Sequence, residues 1–438
     1  MSWSFSPLRG NLQLGLLLLI ALLLAPLVVA DQTPLLSGPG IFFPDEKVRF
    51  DGHAVLRISR PTDPADRDSL DNLLLATPFV DVWSTTSDHV DVRVSPEGRF
   101  ALRDSIELVL GPDSPVRIET IIPDVQALIS LENMRLRHKE ELKSAGLLDY
   151  TKPVDWFSEY HRADEIYEWY VTLAAKYPSL ITVIPSIGKS YEGRDIFAVK
   201  ITNKKFVDPN APKGQFWFHG GQHAREWIGS ATVQFISHHL LEQFGQDEEV
   251  TALLNRAEFI IVPLMNPDGN EYCWKSNRLW RKNRRPVKRD VFGSVGVDLN
   301  RNWPEHWSEA GSSNFPYSDV YHGPQLVLRP YGTTYDDAPD EKLLKEVGDG
   351  IRDLIKGVHG KTYVSQREID LYAASGTASD WFYGDEVNKW LAGRRLYAYT
   401  IELRPSANEG GWGGQGFILP PEQIIPTGSR PSPNILVL

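Results

Sequence analysis

Cysteine is almost absent from this sequence. Its 438 residues include one, Cys273, so no disulfide can form within the chain. There is also no Asn-X-Ser/Thr sequon and no low-complexity tract. Stability must therefore come from burial of apolar side chains, and a chain of this length suits one large domain accompanied by a smaller one.

Acidic residues outnumber basic residues in this sequence. The chain carries 46 Lys and Arg against 57 Asp and Glu, a formal net charge of −11. An acidic protein is repelled by phosphate groups, so we expect neither nucleic acid nor an anionic membrane as a partner. With 42% hydrophobic and 24% charged residues, the composition is that of a globular protein.

Long apolar runs are missing except at the N-terminus. After Arg9, a nearly unbroken apolar run extends from Leu14 to Ala30. Small residues at its end followed by Asp31 predict a signal peptide over residues 1–30, hence a secreted protein with no membrane attachment after cleavage. The alternative is an uncleaved anchor, because about 20 apolar residues span a bilayer. Pro26 and the Ala30–Asp31 junction favour cleavage.

The segment from Phe50 to Leu131 predicts a small α+β unit. Two stretches alternate as half-buried strands do, and two carry apolar residues at helical spacing. The strands are Ala54–Ile58 and Val90–Val94, and the helices include Ser69–Leu75 and Asp104–Leu110. The charged stretch Asn133–Lys152 then predicts an exposed connector open to proteolytic cleavage.

From Trp156 onward, predicted strands and helices alternate. The helices are Ala163–Tyr177 and Trp227–Phe244, and the strands are Leu180–Ile187, Asp195–Thr202, Gln215–His219, Ala257–Met265 and Leu396–Leu403. An Asn266-Pro-Asp-Gly turn is expected after the strand that ends at Met265. This alternation predicts an α/β domain with a mixed, mostly buried central sheet and helices on both faces. In such sheets, functional sites form at the ends of strands.

One candidate site follows the strand Gln215–His219. His223 and Glu226 stand three residues apart after the flexible Gly220-Gly221, so both can reach one cation. Imidazole nitrogen with carboxylate oxygen suits zinc. A His-X-X-Glu pair by itself is a weak signal, because most such pairs lie on ordinary surfaces.

Five ordered blocks strengthen this interpretation. They are His219–Ile228, Asn277–Lys282, Gly296–Trp303, Tyr372–Gly376 and Ile401–Arg404. Together they resemble the zinc metallocarboxypeptidases of the carboxypeptidase A type, from about Trp156 to Thr427. The preceding segment resembles that family's activation domain. We therefore expect a signal peptide (1–30), an activation domain (31–135), a connector with a cleavage site (136–155) and a metallocarboxypeptidase domain (156–438).

The resemblance implies a role for each site residue. His223 and Glu226 match two zinc ligands. Glu402 matches the general base that takes a proton from zinc-bound water, and Arg281 matches the cation that stabilises the oxyanion. Arg225 matches a residue that contacts the substrate chain, and Asn300 with Arg301 matches the clamp for the terminal carboxylate. Tyr372 matches the phenol that caps the bound substrate end.

Individually, these residues have simpler interpretations. Arg281 lies in a run from Lys275 to Arg289 with eight basic residues and no acid, which in isolation predicts a solvated loop or a nucleic-acid patch. Glu402 could form an ion pair with Arg404, and Tyr372 could be an interface aromatic. The joint order of the blocks favours the carboxypeptidase interpretation.

One expected zinc ligand is missing. The family's third ligand is a histidine in a His-Ser-Tyr stretch, shortly before the position that matches Gln325. Here Tyr321-His322-Gly323 runs directly into Pro324-Gln325, so the segment that carries this ligand is absent. His322 matches a different landmark and is not expected to bind metal. The departure after Thr427, where the family continues into a helix, similarly predicts an incomplete domain.

Two functions follow from this gap. The first is an active secreted carboxypeptidase, monomeric, with one Zn²⁺, whose printed sequence is incomplete. The second is an inactive binding or scaffold protein of the same fold. The small, neutral Ser379 just before Asp380-Trp381 predicts a pocket for apolar or aromatic C-terminal residues of peptides and proteins, although Arg367 could shift the preference to acidic ends. The activation domain is expected to act as an intramolecular inhibitor.

Overall fold

The structure is a computed structural model. It describes residues 47–77, 79–208, 213–287, 293–303, 308, 311–323, 341–359, 365, 377–383, 398–399 and 416–428. Within these residues the chain divides into two units. The smaller comprises 50–84 and 88–124, and the larger comprises 47–49, 85–87 and the described residues from Val125 onward.

The smaller unit is a four-stranded sheet with two helices. Its elements are β1 (Ala54–Ser59), α1 (Pro64–Ala76), β2 (Val80–Thr85), β3 (His89–Val94), α2 (Pro96–Leu110) and β4 (Ile118–Ile122). The strand order is β2-β3-β1-β4, and β1 runs antiparallel to both β3 and β4. Both helices begin at capping side chains followed by proline: the Asp63 carboxylate accepts from the Ala65 and Asp66 amides, and the Ser95 hydroxyl accepts from the Gly98 amide.

The larger unit carries the remaining elements. They are α3 (Val125–Ser144), α4 (Pro153–Trp156), α5 (Ala163–Lys176), β5 (Ile181–Lys189), β6 (Asp195–Ile201), β7 (Gly214–His219), α6 (Trp227–Gln243), α7 (Glu248–Arg256), β8 (Ala257–Val262), α8 (Pro267–Lys275), α9 (Glu341–His359), α10 (Ala378–Tyr383) and α11 (Ile424–Gly428). A short 3-10 helix, Pro421–Gln423, precedes α11.

The sheet of the larger unit is mixed. Its described strands lie in the order β5-β6-β8-β7, with β5/β6 and β6/β8 antiparallel and β7/β8 parallel. The parallel pair is joined through α6 and α7, which is the βαβ connection that such a pair requires. Both parallel strands therefore end at the same edge, where the chain leaves β7 after His219 and β8 after Val262.

The predicted α/β fold with a mixed sheet is confirmed. Residues of β6 and β8 are mostly buried, whereas β5 and β7 are largely half-buried or exposed among the described residues. The predicted turn at Asn266 is wrong, because Asn266 caps helix α8 by accepting from the Gly269 amide. The predicted strand Leu396–Leu403 lies outside the described residues except for 398–399.

Helix α3 is held against the body of the larger unit. The Arg278 guanidinium donates to both carboxylate oxygens of Glu132, at 2.6 and 3.0 Å, and both residues are buried. Leu136 packs against the main hydrophobic core, and Lys139 donates to the Ser158 hydroxyl. The helix continues to Ser144, so the first part of the predicted connector is helical and packed. None of the described helices is both long and apolar enough to cross a membrane.

Candidate functional site

Two glycines turn the chain after β7 toward the candidate site. A Cβ on Gly220 would lie 2.5 Å from the Gly229 carbonyl oxygen in α6, and Gly221 has a positive φ of 62°. Their carbonyls accept from the amides of Met265 and Asn266, which follow β8. Only glycine fits so close to another backbone, so the sequence places His223 directly at the end of the parallel strands.

His223 and Glu226 meet as the spacing predicts. His223 Nδ1 lies 2.9 Å from Glu226 Oε1. The other ring nitrogen, Nε2, lies 3.0 Å from Asp298 Oδ1, and Asp298 is fully buried. A carboxylate on one imidazole nitrogen fixes the ring orientation and tautomer and leaves the opposite nitrogen facing the candidate metal position.

Arg281 joins the same cluster. Its Nε and Nη2 donate to Asp298 Oδ2 at 3.1 and 3.0 Å, and its Nη1 lies 3.3 Å from Glu226 Oε1. The Arg281 carbonyl also accepts from the Ala224 amide, which ties this loop to the turn that carries His223. The predicted oxyanion cation and the two predicted zinc ligands therefore lie together, with Asp298 linking them.

The charges of the cluster are coupled. Burial alone raises the pKa of Glu226, but His223 and Arg281 outweigh it and hold that pKa at about 2. The pKa of Asp298 is held well below its usual range, because Arg281 and His223 outweigh the effect of burial. Burial and Arg281 lower the pKa of His223, yet Glu226 and Asp298 together raise it above the ordinary value. A cation binding to His223 would have to displace a proton.

The described residues fit part of a zinc site. His223 and Glu226 supply nitrogen and oxygen donors of the kind that zinc accepts. Asp298 cannot join them, because it occupies the opposite nitrogen of the same ring. No group of three or more His, Cys, Asp or Glu able to hold a metal occurs in the described part of the chain. Catalytic zinc needs three protein ligands, so the donor set among the described residues is incomplete.

His322 is engaged in other contacts. Its Nδ1 lies 2.6 Å from the Gly323 carbonyl oxygen, and its Nε2 lies 3.0 Å from Asn314 Oδ1. The side chain is buried, and burial lowers its pKa. His219 is likewise occupied, with Nε2 3.1 Å from Gln222 Oε1. Neither histidine completes the site.

The predicted carboxylate clamp lies next to this cluster. The backbone amide of Asn300 donates to Asp298 Oδ1 at 2.9 Å. Asn300 Oδ1 accepts from the Ala378 amide at 3.0 Å, which attaches the start of α10 to the site. The adjacent Arg301 is buried, and its Nε donates to the Gly311 carbonyl at 2.9 Å. Ser379 lies on α10, with its hydroxyl 3.1 Å from that of Thr377.

Arg225 faces protein on several sides. It is fully buried, its Nη1 lies 3.3 Å from Asp319 Oδ2, and its guanidinium stacks 4.1 Å from the Phe417 ring centre. Its role in contacting substrate stays a prediction. Glu402, Tyr372 and Arg367 lie outside the described residues, so their roles also stay predictions.

Asp298 is a residue of this cluster that sequence reasoning missed. It stands within the Gly296–Trp303 block, two residues before Asn300, but nothing local marks it as the partner of His223. A usable signal was the general rule that a metal-binding histidine donates its second nitrogen to a carboxylate or carbonyl. The rule says that such a partner exists, whereas the fold selects which one.

Comparison with known proteins places the chain among zinc carboxypeptidases. The sequence profile of the zinc carboxypeptidase family matches residues 166–325 and 323–431, two segments that meet at 323–325. Zinc carboxypeptidase A 1 of Anopheles gambiae is 31% identical, over 90% of this chain and 90% of that protein. The protein named inactive metallocarboxypeptidase ECM14 of Blastomyces gilchristii is 28% identical, over 93% of this chain and 74% of that protein.

A solved structure shares the fold. Carboxypeptidase A from Helicoverpa armigera superposes with a TM-score of 0.70 at 24% identity, over 86% of this chain and 94% of that one. The family profile, the relative in Anopheles and the cluster around His223 lead to the same conclusion: the chain belongs to the zinc carboxypeptidase family, whose cofactor is Zn²⁺.

Proposed function

We propose that the protein is a secreted carboxypeptidase that hydrolyses the C-terminal peptide bond of peptides and proteins. The observation that carries this proposal is the convergence of His223, Glu226, Asp298 and Arg281 within hydrogen-bonding distance, beside Asn300. Membership of the zinc carboxypeptidase family supports it. Secretion rests on the N-terminal apolar run and its predicted cleavage site.

The proposed roles follow from the chemistry of each side chain. His223 and Glu226 would hold zinc, and Asp298 would keep the imidazole oriented. Zinc held by these residues would make water a nucleophile near neutral pH. Arg281 would stabilise negative charge that develops on the substrate carbonyl, and Glu402 would accept the proton of the attacking water. Asn300 and Arg301 would bind the terminal carboxylate, which selects a free C-terminus over a mid-chain bond.

Two variants at opposite ends of α6 test the site. Glu226→Gln removes a metal donor at the cap of α6, and we expect it to abolish hydrolysis. Glu242→Gln lies near the other end of α6, where Glu242 accepts from Lys176, and we expect it to retain activity. Equal activity in the two variants would contradict the assignment of Glu226.

Substrate preference is proposed from the segment at α10. Ser379 is small and neutral, and the Ala378 amide attached to Asn300 places this segment beside the proposed clamp. We propose release of apolar or aromatic residues. A panel of peptides ending in Phe, Leu, Lys and Glu measures this preference. Fastest release of Lys would refute it, and fastest release of Glu would point to Arg367 as the determinant.

The smaller unit is proposed to be an activation domain that inhibits the larger one within a monomer. Its α+β architecture and its place before residues 136–155 support this. We expect the precursor to be inactive, with cleavage between Arg135 and Lys152 releasing activity. An uncleaved precursor as active as the processed protein would contradict it.

A second candidate is an inactive protein that binds peptides through the same surface. The observation that favours it is the incomplete donor set in the described residues, and the two profile matches meet where the third ligand is expected to be missing. Sequencing the transcript across Gly323–Pro324 separates the candidates. If the message runs directly through this junction, the active candidate fails for this chain, and we expect well below one equivalent of zinc in purified protein. A full equivalent of zinc would contradict that expectation.

A further inference from the structure

A small cavity lies within the larger unit. Its volume is about 10 Å³, which is the space that one water molecule requires. Its walls come from the segment between α4 and α5, from the first turns of α6, and from α8. The lining residues that matter here are Glu159, Trp227, Gln234 and Asn270.

Several polar groups on the wall of this cavity bond to one another or to neighbouring backbone. Trp156 Nε1 donates to Gln234 Oε1 at 3.1 Å, and Gln234 Nε2 donates to the Ser230 carbonyl at 3.1 Å. The Tyr160 hydroxyl donates to the Leu419 carbonyl at 2.9 Å. These groups need no additional partner to offset their burial.

Three polar atoms of the lining residues differ in their hydrogen bonding. Glu159 Oε1, Trp227 Nε1 and Asn270 Oδ1 are buried, and no atom of the described residues forms a hydrogen bond with them. The three residues are 8%, 6% and 4% exposed. A fourth such atom, His161 Nδ1, lies 3.6 Å from Glu165 Oε2 and so faces a carboxylate. Leaving three buried polar atoms unpaired destabilises the folded state, so a bound partner is expected.

We propose that this cavity binds one structural water molecule. The water accepts a hydrogen bond from the Trp227 indole and donates its two protons to Glu159 Oε1 and Asn270 Oδ1. One donor and two acceptors on the protein match the hydrogen-bonding capacity of water. An ammonium or alkali cation does not fit as well, because it offers no lone pair to the indole N–H.

The water would connect α6, α8 and the segment between α4 and α5, next to a proposed metal ligand. Trp227 directly follows Glu226, the proposed metal ligand, and is the first residue of α6. Its ring stacks on Trp274 with centres 4.1 Å apart, and the Arg278 guanidinium lies 3.8 Å from its ring centre. These contacts hold the faces of the indole, and the water would hold its polar edge. The proposed water would thus link Glu159, the first residue of α6 and Asn270 of α8.

A crystal structure of the full chain, at a resolution that resolves ordered solvent, tests the proposal. We expect one solvent peak within hydrogen-bonding distance of all three atoms. A dry cavity, or side chains that pair directly with one another, would overturn it. A peak with the coordination distances of a metal cation would replace water as the ligand and would equally overturn it.

Two variants and a solution measurement complete the test. Asn270→Leu removes one acceptor and adds apolar volume, so the peak should disappear and the melting temperature should fall. Glu159→Gln keeps an acceptor oxygen, so the peak should persist. If Asn270→Leu does not fold, a magnetisation-transfer experiment on the wild-type protein still decides, because the Trp227 indole proton should exchange magnetisation with a long-lived bound water. Absence of that transfer, with the indole assigned, would contradict the proposal.

Discussion

Glu132 should be one of the most costly charges to remove from this protein. Its carboxylate receives two hydrogen bonds from Arg278, and both side chains are buried. Arg278 also donates to the carbonyls of Arg225 and Phe417, at 2.9 and 2.8 Å, so its guanidinium cannot easily turn away. The substitution Glu132→Gln therefore leaves a buried cation without its counter-charge.

The size of the effect follows from this geometry. Breaking a buried ion pair by removing one partner costs about 3–5 kcal/mol. The Gln side chain retains one oxygen that can accept from Arg278, so we expect a loss near the lower end, about 3 kcal/mol. Helix α3 should loosen at the same time, because Glu132 is its buried ionic attachment.

Urea unfolding followed by tryptophan fluorescence measures this loss. Trp83 is the only described tryptophan of the smaller unit, so the signal comes mainly from the larger one. The matched control is Glu422→Gln, which removes an exposed ionic partner of α3: Arg135 and Glu422 lie 3.7 Å apart, with side chains 39% and 69% exposed. Such an exposed pair is worth about 1 kcal/mol or less.

The comparison of the two variants can refute the reasoning. If Glu132→Gln costs no more than Glu422→Gln, burial does not control the energetics of this contact. If Glu132→Gln lowers the free energy of unfolding by about 3 kcal/mol but leaves hydrogen exchange along α3 unchanged, the Glu132–Arg278 pair stabilises the body of the larger unit without holding the helix.

Three further predictions concern stability, reactivity and backbone fit. Burial, aided by the charge of Arg93, lowers the pKa of His53 to about 4, against an ordinary value of 6.5. Between pH 6.5 and 4 the unfolded chain binds more protons than the folded one, so the stability of the smaller unit should fall by up to ~3 kcal/mol as the pH drops through this range. Hydrogen exchange in β1 and β3 measures this loss. The variant His53→Gln should show a flatter dependence of stability on pH. Burial raises the pKa of Cys273 to about 12. The native thiol should therefore react with a disulfide reagent at pH 8 at least about a hundredfold more slowly than the thiol of the unfolded chain. Equal rates would contradict the burial of Cys273. Gly220→Ala should lower stability by about 1–3 kcal/mol in thermal unfolding, because its Cβ would meet the Gly229 backbone, whereas Gly214→Ala, with open space around it, should have little effect.

Much of the fold could be predicted because it depends on local pattern. The helix Ala163–Lys176 and the strands at 54–59, 89–94 and 195–201 appear within one or two residues of their predicted bounds. Their periodicities reflect the geometry of helix and strand, which any stretch of sequence expresses without its neighbours. The prediction was wrong at Asn266-Pro-Asp-Gly, since the residues that favour a turn also favour the first turn of a helix.

The sequence alone determined the pair at the centre of the site. His223 and Glu226 are three residues apart, and the two glycines before them allow the turn that brings both side chains to one point. The order of the motif blocks along the chain likewise indicates the family, because it depends on residue types and their succession and on no folded contact. These features depend on neighbouring residues or on the order of residues along the chain.

Only the tertiary structure decided what surrounds that pair. Asp298 reaches His223 across 75 positions of sequence, and Glu132 reaches Arg278 across 146. Such contacts exist only after distant segments have been brought together, and the free energy that selects them comes from packing of the whole domain. No rule of sequence spacing predicts these contacts, because many carboxylates in the sequence could pair with His223 or Arg278. The fold brings one carboxylate within reach of each partner.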